Sequence, residues 1–266
     1  MINWSSIDCR SRLGRLLRAP LTAIPKTTVL PIMSGPNRGF KWCVGAADHG
    51  CWLGSYELDK QEAIWRFRRE GGTALDVGAN VGFYTLLLSR AVGPTGKVIA
   101  IEPDARNAAW VRFHTDLNRV RNVDVVVGAA AARTGAATFS IGPTPTTGRV
   151  VSDAAGEQVP AYSLDDIVFG GHLQIPSIVK MDIEGGESAA LLGATRLLEA
   201  GETTWFVALH SDEQAAACMA IYRAHRYRLC FSDGAEIAAH YRGPVSEIIA
   251  FRGGRDAKSP AVAAAG

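Results

Sequence analysis

The run ALDVGANVGFY at residues 74–84 constrains this chain more than any other segment: an apolar strand pattern ends in an acid, glycines turn the backbone, and a helix-like pattern follows. Gly78 and Gly82 leave no side chain where the backbone must bend and a ligand can come close, and the exposed amides of a new helix favour polar or anionic groups. A dinucleotide fingerprint, GxGxxG, needs its second glycine so that a pyrophosphate can approach. Here Asn80 holds that place, and the carboxylate of Asp76 precedes the turn. A carboxylate beside the ligand suits a cationic group better than a diphosphate. The expected contacts are Asp76, Gly78, Ala79, Asn80, Gly82 and Phe83.

VIAIEPD, residues 98–104, reads as a second buried strand, reached through a helix-like run from Val81 to Ala91 that Gly93-Pro94-Thr95-Gly96 terminates. An acid about 20 residues beyond the glycine turn is where a doubly wound fold grips ribose hydroxyls. Glu102, followed by Pro103, is therefore expected to accept hydrogen bonds from the 2′ and 3′ hydroxyls. NVDVVVGAAA at 122–131 supplies a third contact, because ligands of open sheets sit outside the carboxyl ends of strands. Gly128 and Ala129 are small enough to leave room for an adenine ring. Asp124 reads either as a further contact or, the favoured reading, as an exposed residue at the strand's start.

SIVKMDIEGGE, residues 177–187, places Asp182 at the end of another buried strand before Gly185-Gly186 turn the chain into a helix. If the strand stays extended, Lys180, Asp182 and Glu184 fall on one side, as a catalytic group or as a structural ion-pair cluster. The position at the strand edge favours the first. TTWFVALH at 203–210 delivers His210 to the same edge, as a candidate general base near neutral pH.

DVGANVGFYTLLLSR, VIAIEPD, NVDVVVGAAA, SLDDI and IVKMDIEGGE follow in the order and approximate spacing of the FkbM family of S-adenosylmethionine-dependent methyltransferases, which the chain resembles from about Trp52 to about Leu229. The donor carries an ammonium and a sulfonium and no phosphate, in keeping with the charge pattern of the glycine turn. The resemblance implies a class I, Rossmann-like α/β fold: a seven-stranded, mostly parallel sheet with helices on both faces and an antiparallel C-terminal hairpin, here YRLCF at 227–231 with VSEIIAF at 245–251. It also implies O-methylation of sugars, polyketides or other natural products. The family commonly has a glutamate two positions before the histidine, where this chain has Ala208, so no acid is assigned there to hold the imidazole tautomer. HGCWLGSYE at 49–57 resembles the segment preceding the family's core, which makes Glu57 and Tyr56 candidates to close over methionine or acceptor. N-methylation, a non-catalytic cofactor-binding protein and, more distantly, an NAD-linked oxidoreductase are the competing readings.

Composition agrees with an enzyme of this kind. The 266 residues, 47% hydrophobic, suffice for one substantial core, and no apolar run approaches the ~20 residues of a membrane span. A net charge of +2 makes no case for nucleic acid. Five cysteines without a CxxC pair suit a reducing, cytoplasmic setting. Cys43, His49 and Cys51 match no zinc spacing, and no metal is expected. Residues 1–57 read as an N-terminal extension or lid, residues 58–253 as the cofactor-binding domain starting with a helix at 58–70, and residues 254–266 as a disordered tail. Within residues 1–26, Arg10, Arg12, Arg15 and Arg18 interleave with Leu13, Leu16 and Leu17 as a basic amphipathic helix, which packs on the core or touches an anionic membrane surface or a partner subunit. IGPTPTTGRVVSDAAGEQ, 141–158, reads as a polar loop or lid. Trp42 and Trp52 either stack on a sugar or, the favoured reading, pack the extension onto the sheet. The expected partner is a small hydroxylated acceptor, with oligomerisation left open.

Overall fold

The computed structural model describes residues 21, 23–140, 148–151, 156–241 and 243–253. The arginine-rich helix expected within residues 1–26 falls mostly, and the tail at 254–266 wholly, outside the described residues.

Alternating strands and helices build one seven-stranded sheet. In chain order its strands are β3 (Thr73–Val77), β4 (Lys97–Glu102), β5 (Val123–Val127), β10 (Ile178–Met181), β11 (Thr204–Ala208), β12 (Arg228–Cys230) and β13 (Glu247–Phe251). Across the sheet the order is β12-β13-β11-β10-β3-β4-β5. β10 and β4 flank β3 in parallel register, with Lys180 opposite Asp76 and Asp76 opposite Ala100. β13 runs antiparallel to both β11 and β12, which closes the sheet with the expected hairpin. After β3 the chain winds outward through β4 and β5, then returns to β10 on the other side. The reversal opens a crevice beyond the carboxyl ends of β3 and β10, where open α/β sheets bind ligands.

Helices cover both faces, because the central strands are buried on both. One layer contains helix α2 (Leu58–Arg66) and helix α3 (Phe83–Val92), which bury Ile64, Leu86, Leu87 and Leu88 together with Trp42 and Trp52 of the N-terminal segment. The opposite layer contains helices α5 (Glu187–Leu192), α6 (Thr195–Ala200) and α7 (Asp212–Ala224), whose Leu191, Leu198, Cys218 and Tyr222 pack on Leu75, Val179 and Trp205. Helix α4 (Ala105–Leu117) sets Val111 against Ala79 and Ala100. Between β1 (Val29–Pro31), β2 (Lys41–Cys43) and α2 lies a short helix, α1 (His49–Leu53), capped by Asp48.

Two segments differ from the sequence reading. The helix expected at 58–70 ends at Arg66, because Phe67 turns inward against Phe206 and Phe251, at ring separations of 5.6 and 6.1 Å. The loop expected at 141–158 is not wholly a loop. Residues Arg149–Val151 (β8) and Glu157–Tyr162 (β9) join β6 (Ala129–Ala130) and β7 (Gly135–Ser140) in a second, four-stranded sheet ordered β6-β9-β7-β8. Along β9, buried Val159 and Ala161 alternate with exposed Gln158 and Pro160, the period of a one-sided strand. Phe139 is the centre of that sheet's small core, with Ala129 and Val159.

Candidate active site

A cavity of about 530 Å³ opens at the strand reversal. Its wall includes Glu57, Gly78, Ala79, Asn80, Phe83, Glu102, Pro103, Gly128, Ala129, Lys180, Asp182, Glu184 and His210, which the fold gathers from six separate stretches of chain. Asp76 and Gly82 are not on that wall.

Asp76 lies beneath it. The side chain is fully buried, accepts a hydrogen bond from Thr85 Oγ1 at 2.6 Å and faces Lys180 Nζ at 3.6 Å. Burial pushes its pKa up against the pull of Lys180 and Thr85. The carboxylate expected to meet a cationic ligand is thus turned away from the cavity, toward α3. Gly82 is a packing glycine: its φ is +92°, and a Cβ there would come within 3.1 Å of the Val111 backbone in α4. Gly78 does shape the cavity. Its φ is +78°, and an added Cβ would fall 1.9 Å from the Asp182 carbonyl oxygen, so only glycine lets the ends of β3 and β10 meet.

Glu102 stands at one end of the cavity. Its Oε2 accepts the Asn80 N–H at 2.8 Å and its Oε1 the Asp104 N–H at 3.0 Å, which fixes the carboxylate at the cavity edge. Burial raises its pKa despite these amides. Oε1 also accepts from Asn107 Nδ2 at 3.4 Å, while Oε2 keeps a further lone pair for a ligand hydroxyl. Asn80, at φ +49°, presents a buried Oδ1 that has no hydrogen-bond partner among the described residues. An ammonium or amino group of a ligand would satisfy it. Gly128 stands close under the second sheet: a Cβ there would lie 2.6 Å from the Tyr162 ring, so its smallness serves packing. Asp124 is exposed and pairs with Lys97 at 2.6 Å, away from the cavity.

At the other end, three acids surround one imidazole. His210 Nδ1 lies 2.6 Å from Glu187 Oε1, and Nε2 lies 3.3 Å from Asp182 Oδ1 and 3.6 Å from Glu184 Oε2. The hydrogen bonds to Asp182 and Glu187 push the His210 pKa up to about 10, outweighing desolvation. That shift favours the protonated ring, whereas the sequence offers His210 as a candidate general base. Burial works to raise the Asp182 pKa, but Lys180, His210 and Lys60 together hold it well below the usual carboxylate range. For Glu184 burial prevails, and its pKa is raised.

The strand does not stay extended as far as Glu184. β10 ends at Met181, and Glu184 adopts φ +56°, which swings it toward His210. The Lys180 ammonium instead donates to the Gly78 carbonyl at 3.0 Å and stands between Asp76 and Asp182 Oδ2 at 3.6 and 3.9 Å. It positions the turn and the acid from beneath.

Lys60 and Glu247 on this wall, and Glu187 behind it, escaped the sequence reading. Glu187 supplies the carboxylate on the imidazole that Ala208 does not. Glu57 accepts from Tyr84 Oη at 2.7 Å and from Lys60 Nζ at 3.0 Å, and Lys60 also reaches Glu247 at 2.5 Å. Trp42 and Trp52 face no sugar: both are buried, Trp42 stacked on His114 at 3.9 Å and Trp52 donating to His49 Nδ1. Asp182, Glu184 and His210 offer one ligand atom each within 4.8 Å of one another, a grouping able to hold a metal ion that the sequence reading did not expect. Among the described residues, no helix is long and apolar enough to cross a membrane.

Residues 76–229 match the sequence profile of the Methyltransferase FkbM domain. Among curated proteins, a probable cobalt-precorrin-6B C(15)-methyltransferase (decarboxylating) from Thermoplasma volcanium is 35% identical over 72 residues, 27% of this chain and 36% of that protein. A crystal structure of the methyltransferase FkbM from Methylobacillus flagellatus KT is similar at 18% identity and a TM-score of 0.47, over 77% of this chain and 56% of that one. An S-adenosylmethionine-dependent O-methyltransferase from Thermotoga maritima is similar at 13% identity and a TM-score of 0.45, over 76% of this chain and 67% of that one. The chain thus spans about a third of the curated relative and about half of the Methylobacillus protein.

Proposed function

The chain belongs to the FkbM methyltransferase family, and from that premise we propose that it methylates a hydroxyl group of a small hydroxylated molecule. S-adenosylmethionine is its methyl donor. When bound, that cofactor supplies an electrophilic methyl carbon on a positively charged sulfur.

The residues present fit such a guest. Glu102 would take the ribose hydroxyls, Gly128 and Ala129 would flank the base, and the partnerless Asn80 Oδ1 would accept from an amino or ammonium group. Holding two reactants in one cavity converts a bimolecular encounter into an oriented one, a source of roughly 7–11 kcal/mol where alignment is good.

The observation that favours oxygen as the acceptor atom is the acid-lined far end, where Asp182 and Glu184 face the cavity beside His210. A neutral hydroxyl can donate its hydrogen to these carboxylates and keep its lone pairs for attack. An ammonium would pair with them too, but with no free electron pair it cannot attack carbon. Catalytic roles then fall to Asp182, Glu184 and His210, which meet the acceptor, while Lys180 and Glu187 are positioning residues. The fit of a hydroxylated small molecule to this end makes it the expected partner.

The test is calorimetry of the purified chain with S-adenosylhomocysteine, followed by transfer of labelled methyl to matched hydroxyl and amine acceptors. Binding together with label on hydroxyl compounds is expected. No heat, or label on amines alone, would overturn the proposal.

A further inference from the structure

The far end of the cavity also has the geometry of a cation site. Its three inward-facing ligand atoms come from two strand ends: Asp182 and Glu184 follow β10, and His210 follows β11. The spacings from His210 Nε2 are 3.3 Å to Asp182 Oδ1 and 3.6 Å to Glu184 Oε2. Ligand atoms bound ~2.1–2.4 Å from one divalent ion stand roughly 3.0–3.9 Å apart at right-angled to tetrahedral angles. The two observed spacings fall inside that range.

Glu187 supplies an independent observation. It is not a member of the three-residue group, its side chain is wholly buried, and its Oε1 holds His210 Nδ1 at 2.6 Å. Its Oε2 has no hydrogen-bond partner among the described residues. A buried carboxylate behind Nδ1 is the arrangement by which proteins fix the tautomer of a metal-binding histidine and leave Nε2 to the ion. Asp182 is divided in a compatible way, with Oδ2 toward Lys180 and Oδ1 toward the ring. The two acids and the imidazole all face the cavity, so the remaining coordination positions open on the space for the acceptor.

We propose that Asp182 Oδ1, Glu184 Oε2 and His210 Nε2 bind one divalent cation, Mg²⁺ or Mn²⁺, that receives the acceptor hydroxyl; this rests on the methyl-transfer reading above. Carboxylate oxygens and a single imidazole suit these harder ions better than thiophilic ones. On the cation the hydroxyl proton is released to solvent, as metal-bound oxygen acids ionise more readily. The oxygen's electron pair then forms the bond to the methyl carbon, the carbon–sulfur bond breaks, and its pair stays on sulfur. A vicinal diol, able to offer two oxygens to the open positions, is the acceptor class this arrangement takes best.

The experiment uses the full chain, stripped with chelator and titrated with Mn²⁺ while free Mn²⁺ is followed by electron paramagnetic resonance, with S-adenosylhomocysteine affinity measured in parallel. One Mn²⁺ per chain is expected. Glu184→Gln, which removes an exposed-side ligand, should weaken it at least tenfold, and Glu187→Gln about 10–100-fold through the ring. Both variants should keep S-adenosylhomocysteine affinity within about threefold, which also shows that they fold. A wild-type chain that binds S-adenosylhomocysteine but holds no more Mn²⁺ than Glu184→Gln overturns the cation site and leaves methyl transfer standing. A chain that takes Mn²⁺ but not S-adenosylhomocysteine overturns the methyl-transfer reading, and this inference falls with it.

Discussion

Replacing Gly78 by alanine tests whether the meeting of two strand ends requires a missing side chain. Two separable effects oppose alanine there. The first is conformational, because φ is +78° and an L residue in the left-handed region costs about 1–2 kcal/mol. The second is steric: the new Cβ would lie 1.9 Å from the Asp182 carbonyl oxygen, a backbone atom that cannot swing aside. Forcing a methyl into a packed site costs about 1–3 kcal/mol more, giving about 2–5 kcal/mol in all. Gly39 isolates the first effect, since its φ is +90° and nothing lies within 4 Å of an added Cβ. Gly39→Ala should therefore lose only about 1–2 kcal/mol in urea denaturation. Because relief of the clash must move either Gly78 or Asp182, Gly78→Ala should also weaken S-adenosylhomocysteine binding, which Gly39→Ala should not. Equal stability losses for the two variants, within about 0.5 kcal/mol, would refute the steric argument.

Three further outcomes are expected. Glu102→Gln should weaken S-adenosylhomocysteine about 10–100-fold by calorimetry, since a carboxylate that accepts from two backbone amides becomes an amide obliged to turn a donor toward one of them. Lys180→Met should cost about 3–5 kcal/mol in denaturant melts by stranding buried Asp76, and Lys180→Met with Asp76→Asn should recover part of that loss. His114, whose pKa burial lowers to about 4, is neutral when folded, so the unfolded chain binds the extra proton between pH 6.5 and 4. Stability from this group is complete above about pH 6.5 and falls by about 3 kcal/mol as pH drops through that window; urea melts at pH 7, 6 and 5 should show the loss, and His114→Phe should flatten it.

The parts legible in the sequence are those that local chemistry dictates. The glycine turn, the acid closing β4 and the strand–helix alternation each follow from short-range backbone demands, and they place the cavity correctly at the strand reversal. What stayed illegible depended on which way a side chain faces or on residues far apart in the chain. Asp76 ends an apolar strand as a ligand-binding acid would, yet its orientation was set by Thr85 on α3 and Lys180 on β10, neither visible from the strand itself. Glu187 looks like any acid in the first turn of a helix, where the helix dipole alone would explain it. Only the fold shows it buried against His210. Lys60 and Glu247 meet because α2 and the last strand converge, which no local pattern encodes. The second sheet is a different case, since the alternation of Val159 and Ala161 was present in the sequence and the Gly-, Pro- and Thr-rich stretch before it drew the reading toward a loop.

The two ends of the cavity are mechanically joined through one ammonium. Lys180 Nζ contacts the Gly78 carbonyl, Asp76 and Asp182, so the glycine turn, the buried acid under it and the acid beside His210 share a single cation. Side chains at 5% and 0% exposure, as for Lys180 and Asp76, feel little solvent screening, and a displacement of any one shifts the balance of the rest. Lys180 thus ties the turn on one side of the cavity to the acid beside His210 on the other. Asp76, expected to touch ligand, instead acts on the wall indirectly through Lys180. From there Asp76 holds Lys180 in place for both ends, whereas on the cavity wall it would serve only one.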